Sequence, residues 1–265
     1  MKLIQSFCLL FSLSIASHGV VESIDNFDDF ERKINFPDTD EYYVISADLH
    51  THSAFSDGHV WPNLRTAEAI RDGIDLLAIT EHLEFQPHQL DIPHQDRNRA
   101  FEIASHSALE TDLMVINGTE VTRKFPPGHI NAVFIKDANR MINIDRTKQA
   151  EADKFVESLP KDLIEDYINE PWLNDGVLAA LWPIEETLVE AKNQDAFVFW
   201  NHPAWSAEQE NDGKVLTDIQ INLFNKNLIH GIEVVNGIWF SDEAFQIAID
   251  YGLTMIGTSD VHGLI

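Results

Sequence analysis

Ala47-Asp48-Leu49-His50-Thr51-His52-Ser53-Ala54-Phe55-Ser56-Asp57-Gly58 is the stretch around which the chain is organised. It follows Tyr42-Tyr43-Val44-Ile45-Ser46, an apolar and β-branched run that predicts a buried strand. Side chains two apart on an extended chain leave the same face, so His50 and His52 are expected to converge just past the strand's end. Two imidazoles so placed are half of a metal site. Asp57, on a turn closed by Gly58, brings a hard oxygen ligand within reach.

Working outward, the pattern alternates between short apolar strands and helices. Residues 62–73 predict a helix, with Pro62 near its first turn, Leu64, Ala67 and Ile70 as the apolar set and Gly73 as the stop. Further strands are expected at 76–80, 113–116, 130–135, 196–200, 232–235 and 254–257. Helices are expected at 97–110, 217–227 and 242–251. The stretch 145–195 is acidic and mostly helical, broken by Pro160, Pro171 and Pro183. Such alternation predicts parallel βαβ units, enough to close or nearly close a barrel, and 265 residues suit one large domain of that kind. The chain stops just after its last strand, where one more helix and strand would be expected.

The ends of these strands carry the chemistry. Strand one ends in His50-Thr51-His52, strand two in Thr80-Glu81-His82, strand three in Asn117-Gly118-Thr119-Glu120. A hairpin through Pro126-Pro127-Gly128 puts His129 at the rim. The strand closing at Trp200 runs into Asn201-His202-Pro203, and the last into Ser259-Asp260-Val261-His262. In a barrel of parallel strands these ends open on one face, where such barrels keep their active sites. Nine candidates result: His50, His52, Asp57, His82, Glu120, His129, His202, Asp260 and His262. One tetrahedral zinc needs about four ligands, so nine suffice for two or three ions if a carboxylate, Glu120 for preference, is shared. Nitrogen and oxygen donors together suit zinc, manganese or iron.

The series D-L-H-T-H, S-D-G, I-T-E-H, G-T-E, G-H, N-H-P and S-D-V-H resembles the PHP family, the polymerase and histidinol phosphatase type of metal-dependent phosphoesterase, from Asp48 to His262. The resemblance implies a distorted (β/α)7 barrel of the TIM-like type and a trinuclear site. By that analogy His50, His52, Glu120 and Asp260 hold one ion, and Glu120, His129, His202, Asp57, His82 and His262 complete the others. Glu120, Asp260 and His262 are the catalytic candidates. Asn201 departs from the pattern, standing where a small apolar residue often precedes the histidine. The implied reaction is hydrolysis of a phosphate mono- or diester, with two or three divalent ions activating a hydroxide. Arg97, Arg99, Arg123 and Lys124 flank the expected rim loops as candidates to grip phosphate, and Trp205 to line the pocket.

Two other readings stay open: an amidohydrolase-like barrel cleaving a C–N or C–O bond, and an inactive metal-binding module. Amidohydrolase barrels usually bridge their metals with a lysine or carboxylate from a middle strand. Here no lysine stands at a strand end. Serine, cysteine and nucleotide-loop chemistries lack their residues, since no Gly-x-Ser-x-Gly or Gly-rich phosphate loop occurs. The only cysteine, Cys8, lies in an N-terminal segment with one basic residue, an apolar run and small residues. That segment, 1–19, is expected to be a signal peptide followed by a flexible lead-in over 20–41 and the hydrolase domain over 42–265. Export to the periplasm or beyond would follow. With 18 Lys and Arg against 44 Asp and Glu, the net charge of −26 argues against nucleic acid or membrane insertion. The expected partner is a small phosphorylated substrate, drawn by the metals; oligomeric state is left open.

Overall fold

The computed structural model describes residues 36–92, 95–159, 170–205 and 215–265. The expected signal peptide, most of the lead-in and Pro160 lie outside the described residues. Seven strands form the ring: β1 (Ala47–Asp48), β2 (Leu76–Ile79), β3 (Met114–Val121), β4 (Ile130–Val133), β5 (Phe197–Trp200), β6 (Gly231–Asn236) and, paired to β6, β8 (Thr254–Thr258). A two-residue β7 (Trp239–Phe240) is an antiparallel arm on β6. The ring nearly closes where Thr51 bridges Val261: the His52 N–H donates to the Val261 carbonyl at 3.1 Å and the Asp260 N–H to that of His50 at 3.0 Å.

Most neighbours are parallel, but β4 runs antiparallel to both β3 and β5. The parallel pattern breaks there, at the hairpin expected through Pro126-Pro127-Gly128, for a simple reason. The link from Thr122 to His129 is too short for a crossover, so the chain can only turn back as a hairpin. An antiparallel strand begins at the rim where its parallel neighbours end, so His129, just ahead of β4, still reaches the common face.

Period-two alternation sorts the strand side chains. Leu77 and Ile79 pack outward on Ala69 of α1 (Pro62–Arg71) and on Ala100 and Ala104 of α2 (Arg99–Ser107). Leu76 and Ala78 face inward and meet Ile116, Val133, Phe199 and Ile256 in an apolar plug. Two and four residues further along the inward face of β3 come Gly118 and Glu120. Gly118 is required by space, since a Cβ there would lie 2.8 Å from the Thr80 methyl. On the far side, α5 (Ile184–Asn193), α6 (Asp218–Asn225) and α7 (Asp242–Tyr251) cover β4 to β6 through Leu188, Leu223 and Ile247. Thr217 and Gln220 form a capping box on α6, and the buried Gln220 amide also donates to the Pro127 carbonyl at 3.1 Å, fixing the turn before His129.

Several local expectations give way. Residues 42–45 are exposed coil, with Tyr43 90% accessible, and the strand begins only at Ala47. Ser46 is instead tied to the Asp75 carboxylate at 2.7 Å, and the side chains of residues 42–45 before it are exposed. On α1 the exposed residues include Leu64 and Ile70, while Arg65, Thr66 and Ala69 are buried. The reason is polar. Arg65 donates to the His52 carbonyl at 3.1 and 3.2 Å and to that of Gly263 at 3.0 Å, clasping two strand-end loops. Pro171 and Pro183 start helices rather than break them, at the first position of α4 (Pro171–Ala180) and the N-cap of α5.

Candidate metal centre

All nine candidate residues meet at one end of the ring, in four overlapping groups: His52 with Asp57, His82 and His262; His50 with His52 and Glu120; His50 with His202 and Asp260; and His82 with Glu120 and His129. Within each group the donor atoms lie within 4.8 Å of one another. Glu120, fully buried, is the hub. Its Oε1 stands 3.0 Å from His129 Nδ1 and 3.4 Å from Nε2 of both His50 and His202. Its Oε2 stands 2.6 Å from His82 Nδ1 and 3.5 Å from His52 Nε2. Asp260 Oδ1 lies 3.2 and 3.3 Å from Nε2 of His50 and His52. Asp57 lies 3.4 Å from His82 and 3.2 Å from His262.

The backbone is bent to achieve this. His202 and Asp260 adopt left-handed conformations, with φ of 23° and 50°. Such conformations cost about 1–3 kcal/mol for residues with a Cβ and persist where surrounding contacts impose them. Here the His202 N–H donates to Glu233 Oε2 at 2.7 Å and the Asp260 N–H to the His50 carbonyl.

The donor set fits a cation. His50 Nδ1 is 2.7 Å from Glu233 and His52 Nδ1 is 3.2 Å from Ser56, whose hydroxyl donates to Glu81 at 2.5 Å. Each imidazole thus spends its Nδ1 proton outward, yet their two Nε2 atoms face each other at 3.1 Å. Two lone pairs at that distance repel unless a proton or a metal ion lies between them. Asp57 Oδ1 and Glu120 Oε2 are also buried without a hydrogen-bond partner, which is costly for carboxylate oxygens unless positive charge sits beside them.

The electrostatics of the metal-free cage agree. Burial alone would depress His50, but Glu233, Asp260 and Glu120 overturn that and hold it well above the usual histidine value. Burial works against His82 too, and Glu120 and Asp57 raise it to about 10. His52 goes the other way, pushed to about 4 by burial and by His82. Burial would raise Glu120, yet His82, His129 and His50 keep it far below the carboxylate range. The buried carboxylates therefore favour positive charge at His50 and His82.

The structure adds residues that motif reading passed over. Glu233, from the middle of β6, supports His50 and His202; Glu81 holds the Ser53–Gly58 turn through Ser53 and Ser56. Asn201, the departure from the family pattern, donates to Glu120 Oε1 at 2.7 Å and to Asn131 at 3.0 Å. Inward alternation on β6 could have flagged Glu233, since a charged residue on a barrel's inner face is unusual without a partner. The cationic candidates fare differently. Arg123 is buried in an ion pair with Glu84 and turns away from any phosphate role, because Glu84 would otherwise be a buried unpaired charge. Arg99 pairs with Glu102 along exposed α2, at 2.9 Å. Trp205 does stand at the rim, 56% exposed, edge-on to His202 and His129 with ring centres 5.3 and 6.2 Å apart.

No family model and no curated protein matches the chain. Among solved structures it is similar to a two-domain protein from Bacteroides vulgatus containing a predicted PHP-like metal-dependent phosphoesterase, at 36% identity and a TM-score of 0.69. That match covers 87% of this chain and 56% of the other, so the chain spans about half that protein's length. A protein from Bifidobacterium adolescentis assigned as a metal-dependent phosphoesterase matches at 19% identity and TM-score 0.54, over 84% of this chain and 89% of that one. An amidohydrolase from Chromobacterium violaceum, with bound sulfate and no metal, matches at 17% and 0.55, over 82% and 88%. The last two likenesses concern the fold alone.

Proposed function

The chain is PHP-like in sequence and fold, and from that premise we propose that it is a metal-dependent hydrolase of phosphate esters. The observation that carries the proposal is the nine-donor cage with one buried carboxylate, Glu120, within reach of five imidazoles. Two or three divalent ions (zinc, manganese or iron) held there would supply positive charge for the phosphoryl oxygens and lower the pKa of water toward neutrality. Glu120 would be the shared ligand. His50, His202 and Asp260 would hold one side and Asp57, His82 and His262 another, with His52 and His129 between them.

The chain's own groups then set the direction of the reaction. Glu120, His50 and His52 are fully buried and form the floor. His262, Asp57 and His129 are the most open members, at 33%, 25% and 19% side-chain exposure, and mark the entrance. Substrate enters there; an oxygen from water joins phosphorus, the ester P–O bond breaks, and the leaving oxygen takes up a proton. His262 stands at that entrance, its Nδ1 2.8 Å from the Asp260 carbonyl and its Nε2 3.2 Å from Asp57. The net charge of −26 keeps other anions away, so the phosphoryl group is recognised only at the cage.

Among the described residues no helix is long and apolar enough to cross a membrane. With the N-terminal sequence expected to direct export, the proposed setting is periplasmic or extracellular. The test is metal analysis by mass spectrometry on protein purified without chelator, followed by a screen of phosphate mono- and diesters. Two to three ions and turnover of a phosphate ester are expected. Turnover of amides or lactones alone would transfer the proposal to the amidohydrolase reading; ions without turnover of either class would leave a binding module.

A further inference from the structure

Two carboxylates stand outside the cage, and each serves a different part of it. Glu233 is saturated by donors: Oε1 accepts from His50 Nδ1 and Thr258 Oγ1, both at 2.7 Å, and Oε2 from the His202 N–H at 2.7 Å and Asn236 Nδ2 at 3.1 Å. Asn236 Nδ2 also reaches Asp260 Oδ2 at 3.1 Å. Glu233 therefore has no lone pair to spare for an ion, and the residues it touches are those of one group: His50, His202 and Asp260. The strand ends that carry His50 and Asp260, already joined by one backbone hydrogen bond, and the one that carries His202 are thereby keyed to a single side chain from β6.

Glu81 does the same on the other side. It accepts from the Ser53 hydroxyl, from the Ser53 N–H at 3.2 Å and from Ser56 Oγ at 2.5 Å, and Ser56 Oγ meets His52 Nδ1 at 3.2 Å. These contacts pin the turn that the Gly58 N–H closes on the Ser53 carbonyl at 2.9 Å. Gly58 has to be glycine, because a Cβ would lie 2.8 Å from the Ser53 backbone. The turn presents Asp57 to His52, His82 and His262, which form a separate group. Among the described residues no hydrogen bond joins Glu81 to the His50–His202–Asp260 group or Glu233 to the Asp57–His82–His262 group.

We infer that Glu233 and Glu81 are positioning residues for two separable halves of the metal centre, each governing the ion held by its own half. The inference rests on the metal-centre reading above. Outer hydrogen bonds of this kind fix the imidazole tautomer and orientation, and losing one typically weakens metal binding by about 10- to 100-fold. In Glu233→Gln the amide NH2 must face a donor, either the His202 N–H or the His50 Nδ1–H. In Glu81→Gln it faces the Ser53 or Ser56 hydroxyl, which loses the acceptor its proton uses in the parent protein.

The experiment is stepwise removal of manganese or cobalt by chelator from the full chain, counting ions by mass spectrometry and following the cobalt visible spectrum. In each single variant one ion is expected to leave about 10- to 100-fold more readily while the remaining ions hold as in the parent protein. Different parts of the cobalt spectrum are lost in the two variants, and the double variant shows the sum. Asn236→Ala and Ser56→Ala, which cut one link of each support without touching a carboxylate, repeat the two patterns more weakly and cover the case of a variant that fails to fold. If either carboxylate variant loosens all ions alike, or if neither loosens any, the inference is wrong. A parent protein that takes up no ion at all overturns the metal-centre reading itself.

Discussion

Replacing Glu120 by Gln keeps shape and removes one buried charge from the middle of the cage. The carboxylate oxygens lie 2.6–3.5 Å from nitrogens of five histidines, so any cation held among them sits close to that charge. One pair of unit charges 3.4 Å apart is worth about 5 kcal/mol at an effective dielectric constant of 20. The amide carbonyl recovers part of this as a neutral ligand, while its NH2 turns a donor toward His82 or His129. Taking half as recovered leaves about 2–3 kcal/mol, or roughly 30- to 150-fold in affinity. Because Glu120 belongs to two of the ligand groups, more than one ion is expected to loosen together. The assay is equilibrium competition against a chelator of known affinity, read by mass spectrometry, with circular dichroism to verify the fold. Retention of two or more ions within about threefold of parent affinity would refute the role given to Glu120, since that lies well below the roughly 30-fold lower bound.

Metal removal itself should destabilise the fold: ions at about a thousand times their Kd stabilise by about 4 kcal/mol, so chelation is expected to lower Tm by roughly 8–16 °C in a scanning melt. In chelated protein His82 is raised to about 10, so its proton contributes stability that is complete below the usual 6.5 and is lost as pH climbs through about 10; His50 is raised in the same direction. Melts of chelated protein from pH 6 to 10 should show that decline, and metal uptake near pH 7 in weak buffer should release protons. Arg123→Ala leaves Glu84 buried and unpaired, so a loss of about 3–5 kcal/mol in denaturant unfolding is expected with KM unchanged. Trp205→Ala should lower kcat/KM for aryl esters by about 5- to 50-fold, the worth of one stacked ring, and leave small alkyl esters unaffected.

The legible part of this protein is what a period of two and a list of side-chain chemistries can encode. Short apolar strands ending in His50-Thr51-His52, Glu81-His82, Glu120, His202 and Asp260-Val261-His262 announced both the barrel and its ligand face, and the strand positions from β2 onward follow the apolar runs closely. Where burial depended on a neighbour distant in sequence, pattern misled. Tyr42 to Ile45 have strand composition but are exposed, and α1 buries arginine and threonine because the loops after His52 and His262 need donors there.

The same physics divides the metal centre. The candidate donors were visible in the chain as imidazoles and carboxylates at strand ends. Which of them come together, and what holds them, was decided only by the tertiary structure. Glu233 looks like an ordinary strand residue, and Glu81 and Asn201 like spacers beside candidate donors, until β6, β2 and β5 are curled into one ring. Arg123, an equally good phosphate ligand on paper, is withdrawn by a partner 39 residues away in the chain. A linear sequence specifies donors and acceptors; it is the closure of the sheet that sets which of them come within 3 Å, and so which charges are ligands, which are supports and which merely neutralise one another.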